Sequence, residues 1–352
     1  MRSVGSRSRA TGWRRRRRFG GSSWGVGATV EQELDPTALH PEDRINSTEF
    51  LRKKWRKLMD SSMDTHGRAR TLLTVLCFAV ALFACGIPAW GEEPLVIVVG
   101  SSHVGDVVKA LSGDAPFAVQ TLVPPTMCPG HFDAKPSEIA AVKKARCVLL
   151  HDWQQSMPGI RSVLAAAQIP ADKVSTIAVP GNWLVPTVQE QAVDRVASVL
   201  AGVDPVRAGA YQAKATERIE AVRRAGESVL RQFKDGGCGA MNIICHDKLA
   251  DFLKWAGFAV VLEYGQDGQL SARRMSELVR EGRAARVKLV VDNVQGGGLR
   301  TGAAIARDTG AAHVILSNFP GGFSGVDTWE DTLRKNADIL VRAAKEVGQS
   351  GA

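Results

Sequence analysis

The chain reads as an α/β protein: two parallel-sheet α/β lobes joined by one long rigid backbone helix. Three observations predict this class. From Pro94 onward, short β-branched runs alternate with stretches of helical periodicity. Leu95–Val99 is a continuously apolar, largely β-branched run, which is the pattern of a strand buried on both faces. Between two such alternating halves lies one long amphipathic stretch with no strand signal. The 352 residues allow two domains, and a hydrophobic share of 45% is enough to fill their cores.

The first lobe is expected over residues 94–185. Leu95–Val99 is a strand, and Gly100-Ser101-Ser102 caps a helix running to about Leu111. Phe117–Val123 is a second strand, stopped by Pro124-Pro125. Pro136 and Ser137 open a helix through Ala145. Arg146–Leu150 is a third strand, Pro158–Ala167 a helix, and Val174–Val179 a fourth strand. A helical connector follows over residues 186–237. Val188, Val193, Val196 and Leu200 recur at helical spacing. Asp204-Pro205 then reads as an N-cap and first-turn proline. Tyr211, Ile219, Val222, Val229 and Phe233 lie near one face of a helix that Asp235-Gly236-Gly237 ends. At ~1.5 Å per residue this helix is roughly 45 Å long, a strut rather than a hinge. The second lobe, 238–352, repeats the alternation. Strands are expected at Met241–Cys245, Val260–Glu263, Val287–Val291 and His313–Leu316, with helices at Lys248–Ala256, Ser271–Gly282, Leu299–Thr309 and Trp329–Val347. The lobes look alike in outline, with no internal sequence repeat.

The formal charge of +9 is unevenly spread. Residues 1–62 hold 14 Lys/Arg against 7 Asp/Glu, so the rest of the chain carries only +2. No aromatic platform accompanies the Arg14–Arg18 run, so it reads as a solvated, disordered extension rather than a nucleic-acid site. Residues 63–91 read as a signal peptide: Arg68 and Arg70 precede the uncharged run Thr71–Ala84, 14 residues long and short for a membrane span. Ala89-Trp90-Gly91 suits cleavage before Glu92. Leu82-Phe83-Ala84-Cys85 resembles a lipobox, with Cys85 as the lipidated residue. Met59 and Met63 are natural starts for such a signal, which would leave the extension untranslated.

Of the six cysteines, Cys77 and Cys85 lie in or beside the signal, leaving Cys128, Cys147, Cys238 and Cys245 with three possible pairings. Cys147 and Cys245 border apolar strand runs, where a buried free thiol is the plain reading. Cys128 is different: the turn-rich loop Met127-Cys128-Pro129-Gly130-His131 presents a thiol and an imidazole from rigid backbone. In open parallel sheets ligands bind at the carboxyl ends of strands, and His131, His151, Asn182, His246, Asp292 and Asn318 all fall there. A lone strand-end histidine is more often a packing residue, so the convergence carries the argument. Neutral imidazole suits Zn(II), Mn(II) or Fe(II), and a Cys128 thiolate would favour Zn(II). His151 reads equally as a helix cap, and His313, opening an apolar strand, as a packing residue. Gly296-Gly297-Gly298 lacks the spacing of a phosphate loop and reads as flexible. No GxSxG or HExxH motif is present.

These segments resemble the metal-binding proteins of zinc- and manganese-type ABC importers, the cluster A-I solute-binding family, from about Leu95 to the C-terminus. Pro129-Gly130-His131-Phe132-Asp133 with Lys135-Pro136-Ser137-Glu138 looks like the family's Pro-His segment and Pro-Ser helix start. Gly181-Asn182-Trp183-Leu184-Val185-Pro186 resembles its His-x-Trp-Leu-x-Pro segment, and Cys245-His246-Asp247 its strand-His-Asp element. Leu316-Ser317-Asn318-Phe319-Pro320-Gly321 falls at its Asp-Pro-Leu loop. The resemblance implies a ligand set at His131, Asn182, His246 and Asn318, with amides where the family has an imidazole and a carboxylate. Cys128, His151, Glu263 or Asp292 would then complete the shell.

The expected function is capture, not catalysis: a periplasmic or otherwise extracytoplasmic solute-binding protein, monomeric, taking a divalent transition metal, zinc first, to an ABC permease and its ATPase. It touches the membrane only through the signal or a lipid at Cys85, and no nucleic acid. The rival is a protein of the same fold for a metal chelate or small organic ligand, held by Trp153, Trp183, Asn182, Asn293 and Asn318. A metallohydrolase would need an open metal position and a base such as Asp292 or Glu263.

Overall fold

The computed structural model describes residues 94–350, apart from positions 114, 116, 267 and 269. The expected extension, signal peptide, cleavage site and Cys85 lipobox lie outside the described residues.

Two four-stranded, all-parallel sheets form the cores of two lobes. The first contains β1 (Leu95–Val99), α1 (Ser102–Ser112), β2 (Phe117–Thr121), α2 (Pro136–Lys144), β3 (Cys147–His151), α3 (Pro158–Ala167) and β4 (Val174–Ile177), with strand order β2-β1-β3-β4. Then come α4 (Pro186–Val203) and α5 (Ala208–Asp235). The second lobe contains β5 (Asn242–His246), α6 (Ala250–Trp255), β6 (Ala259–Tyr264), α7 (Ala272–Ala284), β7 (Leu289–Asn293), α8 (Arg300–Thr309), β8 (Ala312–Leu316) and α9 (Trp329–Ser350). Its order, β6-β5-β7-β8, repeats the first.

The apolar runs are explained by burial on both faces. Ile97, Val99, Cys147 and Leu149 pack under α1 and α4, whereas Val98, Val148 and Leu150 pack under α2 and α3. In the second lobe Ile243, Cys245, Leu289 and Val291 face α5, α6 and α9, and Ile244 and Val290 face α7 and α8. The 28-residue α5 is about 42 Å long. Tyr211 and Ala215 at its start belong to the first core, and Val222, Ala225, Val229 and Phe233 to the second. One helix is therefore cemented into both lobes.

Asp204 does not cap that helix. Pro205–Arg207 forms a 3-10 turn, and α5 begins only at Ala208. The Asp204 carboxylate is drawn instead to the Tyr211 hydroxyl (2.7 Å) and the Arg207 guanidinium (2.9 Å). Cys128, Cys147, Cys238 and Cys245 are all buried free thiols. Burial pushes the Cys147 thiol up to about 12, against the opposing pull of Arg146. Among the described residues, no helix is long and apolar enough to cross a membrane.

Candidate metal centre

The loops at the carboxyl ends of the two sheets meet, and they carry most of the residues singled out above. His131 closes a 3-10 turn, Pro129–His131, between β2 and α2. The turn is fixed from below by Phe132, which is buried in the first-lobe core beside Leu122, Leu150 and Ile160. Glu138 reaches back to accept from the Lys135 N–H at 2.8 Å, which sets the start of α2. His131 itself is left exposed to solvent.

His246 is the last residue of β5 and is only 2% exposed. Its Nδ1 lies 2.9 Å from Asp247 Oδ1 and 3.2 Å from the Lys248 N–H. Nδ1 accepts from the Lys248 N–H, and the nearby Asp247 Oδ1 makes a close contact without a hydrogen bond. Nε2 is the ring nitrogen left buried without a hydrogen-bond partner. Burial tends to raise the Asp247 carboxyl, but contacts from His246 and Lys248 outweigh it and hold the group at about 2. A carboxylate behind one imidazole nitrogen with the other nitrogen bare is the arrangement that orients a metal-binding histidine.

The two imidazoles converge on one loop. A Cβ placed on Gly296 would stand 2.9 Å from His246 Cδ2 and 3.0 Å from its Nε2. A Cβ on Gly297, where φ is +83°, would lie 3.5 Å from His131 Cε1. The triple glycine after β7 is thus the floor on which histidines from both lobes rest. Cys128 is close by: its buried Sγ accepts from Gln266 Nε2 of the second lobe at 2.8 Å.

The amides are already engaged. Asn182 Nδ2 donates to the Lys248 carbonyl (2.6 Å) and to Asn318 Oδ1 (2.9 Å), while its Oδ1 accepts from the Leu184 N–H (2.8 Å). Asn318 further accepts at its carbonyl from His103 Nε2 (2.6 Å), and its N–H donates to Gln295 Oε1 (2.9 Å).

The remaining candidates have partners or surroundings of their own. His151 Nε2 is 2.8 Å from Ser101 Oγ, and its ring is packed between Trp153 and Trp183. Burial, then the neighbouring His103, lowers its pKa to about 3, so it is a neutral core group. Asp292 accepts from the Asn293 N–H and lies 3.2 Å from His313 Nε2. Its Oδ2 also crowds Gly302 of α8. His313, expected to be an apolar packing residue, is therefore the partner of a buried acid. Glu263 is exposed and paired with Lys254 at 2.9 Å. Trp153 and Asn293 are divided likewise: the first is 41% exposed, the second buried. Among the described residues, no group of three or more His, Cys, Asp and Glu side chains is arranged to hold a metal ion.

Sequence reasoning missed Gln266, Gln295, the role of Gly296 and the bond from His103 to the Asn318 carbonyl. His103, 3% exposed, is lowered to about 4 by burial despite its bond to the Asn318 carbonyl. Gln295 Nε2 donates to Pro125 O of the other lobe and to Ser317 Oγ. A glycine run directly after a buried strand was the one signal that pointed to a close approach.

Residues 97–343 match the family described as zinc-uptake complex component A, periplasmic (ZnuA). No curated protein matches the chain. Among solved structures, a crystal structure of ZnuA is 20% identical, with a TM-score of 0.59, covering 72% of this chain and 100% of that one. A periplasmic metal-binding protein from Candidatus Liberibacter asiaticus is 15% identical, with a TM-score of 0.59, covering 71% of this chain and 99% of that one. Its cadmium-bound form gives a TM-score of 0.58 at the same 15% identity and the same 71% and 99% coverage. At these identities the solved structures speak for the fold.

Proposed function

We propose, from the premise that this chain belongs to the periplasmic zinc-uptake component A (ZnuA) family, that it captures a divalent transition metal outside the cytoplasm and hands it to an ABC permease and its ATPase. Capture rather than catalysis is the role that family membership supports. Zinc is the favoured cargo. The supporting observation is the convergence of His131 and His246 on Gly296-Gly297, with His246 Nε2 buried and unpartnered. A buried polar atom without a partner costs free energy that a bound ion would recover. His131 and His246 supply the imidazoles. Cys128, once freed from Gln266 and deprotonated, supplies a thiolate suited to zinc. Delivery to this compartment would follow cleavage before Glu92, or lipid attachment at Cys85.

Metal content of the purified protein, beside a His131→Ala/His246→Ala double variant, tests this reading. One equivalent of transition metal, lost in the double variant, is the expected result. Because only neutral imidazole ligates, affinity should be lower at pH 5 than at pH 7.5. Equal affinity at both pH values would sink imidazole ligation.

A second reading has its own support. Among the described residues no three His, Cys, Asp or Glu side chains are already arranged to hold an ion, whereas zinc takes about four ligands. A metal complex that brings its own ligands would meet that shortfall. Tight uptake of a chelated metal, together with failure to take up the bare ion, would move the assignment to that class.

A further inference from the structure

The asparagines at 182 and 318 do more than stand where donors were expected. Asn182 follows β4 of the first lobe, and Asn318 follows β8 of the second. They are joined side chain to side chain at 2.9 Å. The same Asn182 amide also reaches the Lys248 carbonyl, behind β5, at 2.6 Å. One carboxamide thus ties the first lobe to two separate loops of the second. Its oxygen is held in place by the Leu184 N–H at 2.8 Å. On the other side, Asn318 is held at its N–H by Gln295 and at its carbonyl by His103.

We infer that the Asn182–Asn318 pair is an inter-lobe latch, which holds the mouth of the cleft shut by hydrogen bonds with no ion present. In a cleft whose donors come from both lobes, the ion is itself the cross-link, and binding it draws the lobes together. Here two neutral amides make that cross-link first. Joined by one hydrogen bond, they bring no charge toward a cation and leave the imidazole side of the cleft to select the cargo. Asn182 and Asn318 are positioning residues on this account. The latch deepens the capture reading, and rests on it only where affinity is concerned.

Three further contacts support a pre-closed cleft: Gln295 Nε2 to Pro125 O, Trp329 Nε1 to Trp183 O (2.7 Å), and Gln266 Nε2 to Cys128 Sγ (2.8 Å). All are inter-lobe, and none uses a charged group.

The test is amide hydrogen exchange on the full chain, with and without zinc. The wild type is compared with Asn182→Asp, which keeps the acceptor for Leu184 and loses both donors, and with Asn318→Ala. Without zinc, exchange in the loops at 178–185, 247–249 and 317–320 should rise by roughly ten-fold or more in Asn182→Asp, and by less in Asn318→Ala. Protection of β1 and β5 should be unchanged in both, which shows that each lobe remains folded. Zinc should leave those loops unaltered in the wild type and restore protection in Asn318→Ala. Its affinity for Asn318→Ala should fall roughly five- to ten-fold, because binding must then recruit a minor closed state. Unchanged loop exchange in both variants without zinc overturns the latch, whether or not zinc binds. So does a wild type whose loops gain protection on adding zinc. If Asn182→Asp does not fold, the Asn318→Ala comparison decides alone. Absence of zinc binding in the wild type overturns direct capture of bare zinc and leaves the latch to the zinc-free comparison.

Discussion

Gly296 shows how one missing side chain shapes the site. The Cβ of an alanine there would stand 2.9 Å from His246 Cδ2 and 3.0 Å from the Asn293 carbonyl. One of these neighbours is backbone and cannot swing away. The imidazole would have to turn, taking Nε2 out of line. Overpacking of this kind costs about 1–3 kcal/mol. Gly296→Ala should lower stability by that amount in urea denaturation, and should weaken zinc uptake at least ten-fold by calorimetry. Retained affinity would mean that His246 does not ligate through the face resting on this loop.

At the scale of elements, Arg218 matters most. From the middle of α5 it binds Asp106 of α1 (2.8 Å) and Glu330 of α9. The first and last helices of the fold are thereby fastened to the strut. Burial raises the Asp106 carboxyl to about 6, even though Arg218 pulls it down. Breaking a buried pair leaves an uncompensated charge, which costs about 3–5 kcal/mol. Arg218→Met should therefore lose stability of that order at pH 7. The loss should be smaller at pH 5, where Asp106 can take up a proton. Equal losses at both pH values in urea denaturation would contradict the assigned role of Asp106.

The whole molecule should be acid-sensitive, with a sign set by three groups. His103 and His151 are lowered to about 4 and about 3, chiefly by burial. Unfolded histidines take protons below about 6.5, which the folded ones refuse, so stability from these two falls as pH drops through that window. Asp106 works the other way: its folded form takes a proton between about pH 6 and 4, before the unfolded form does. At pH 5 the unfolded chain thus holds two of these protons against one in the folded chain. Stability should decline by about 1.4 kcal/mol per pH unit there. Asp106→Asn should roughly double that slope, as read from denaturation midpoints between pH 6 and 4.5. An unchanged slope in the variant would contradict the assignment.

The sequence by itself determined the class and order of the elements. A short, β-branched apolar run such as Leu95–Val99, closed by Gly100, reads as a strand covered on both faces, and the periodicity of Tyr211, Val222, Val229 and Phe233 reads as a helix with one buried stripe. These are local signals, and local signals survive in one dimension. For the same reason His131 and His246 were legible as a loop residue and a strand-end residue. Tertiary structure alone decided what they meet. Nothing in Gly296-Gly297 announces that imidazoles from two lobes rest on it, and nothing in Asn182 names Asn318, 136 positions away, as its partner. Nor does the apolar context of His313 reveal Asp292 beside it. Contacts between residues far apart in the chain depend on how two separately formed lobes dock, and docking is a property of surfaces that no local pattern records.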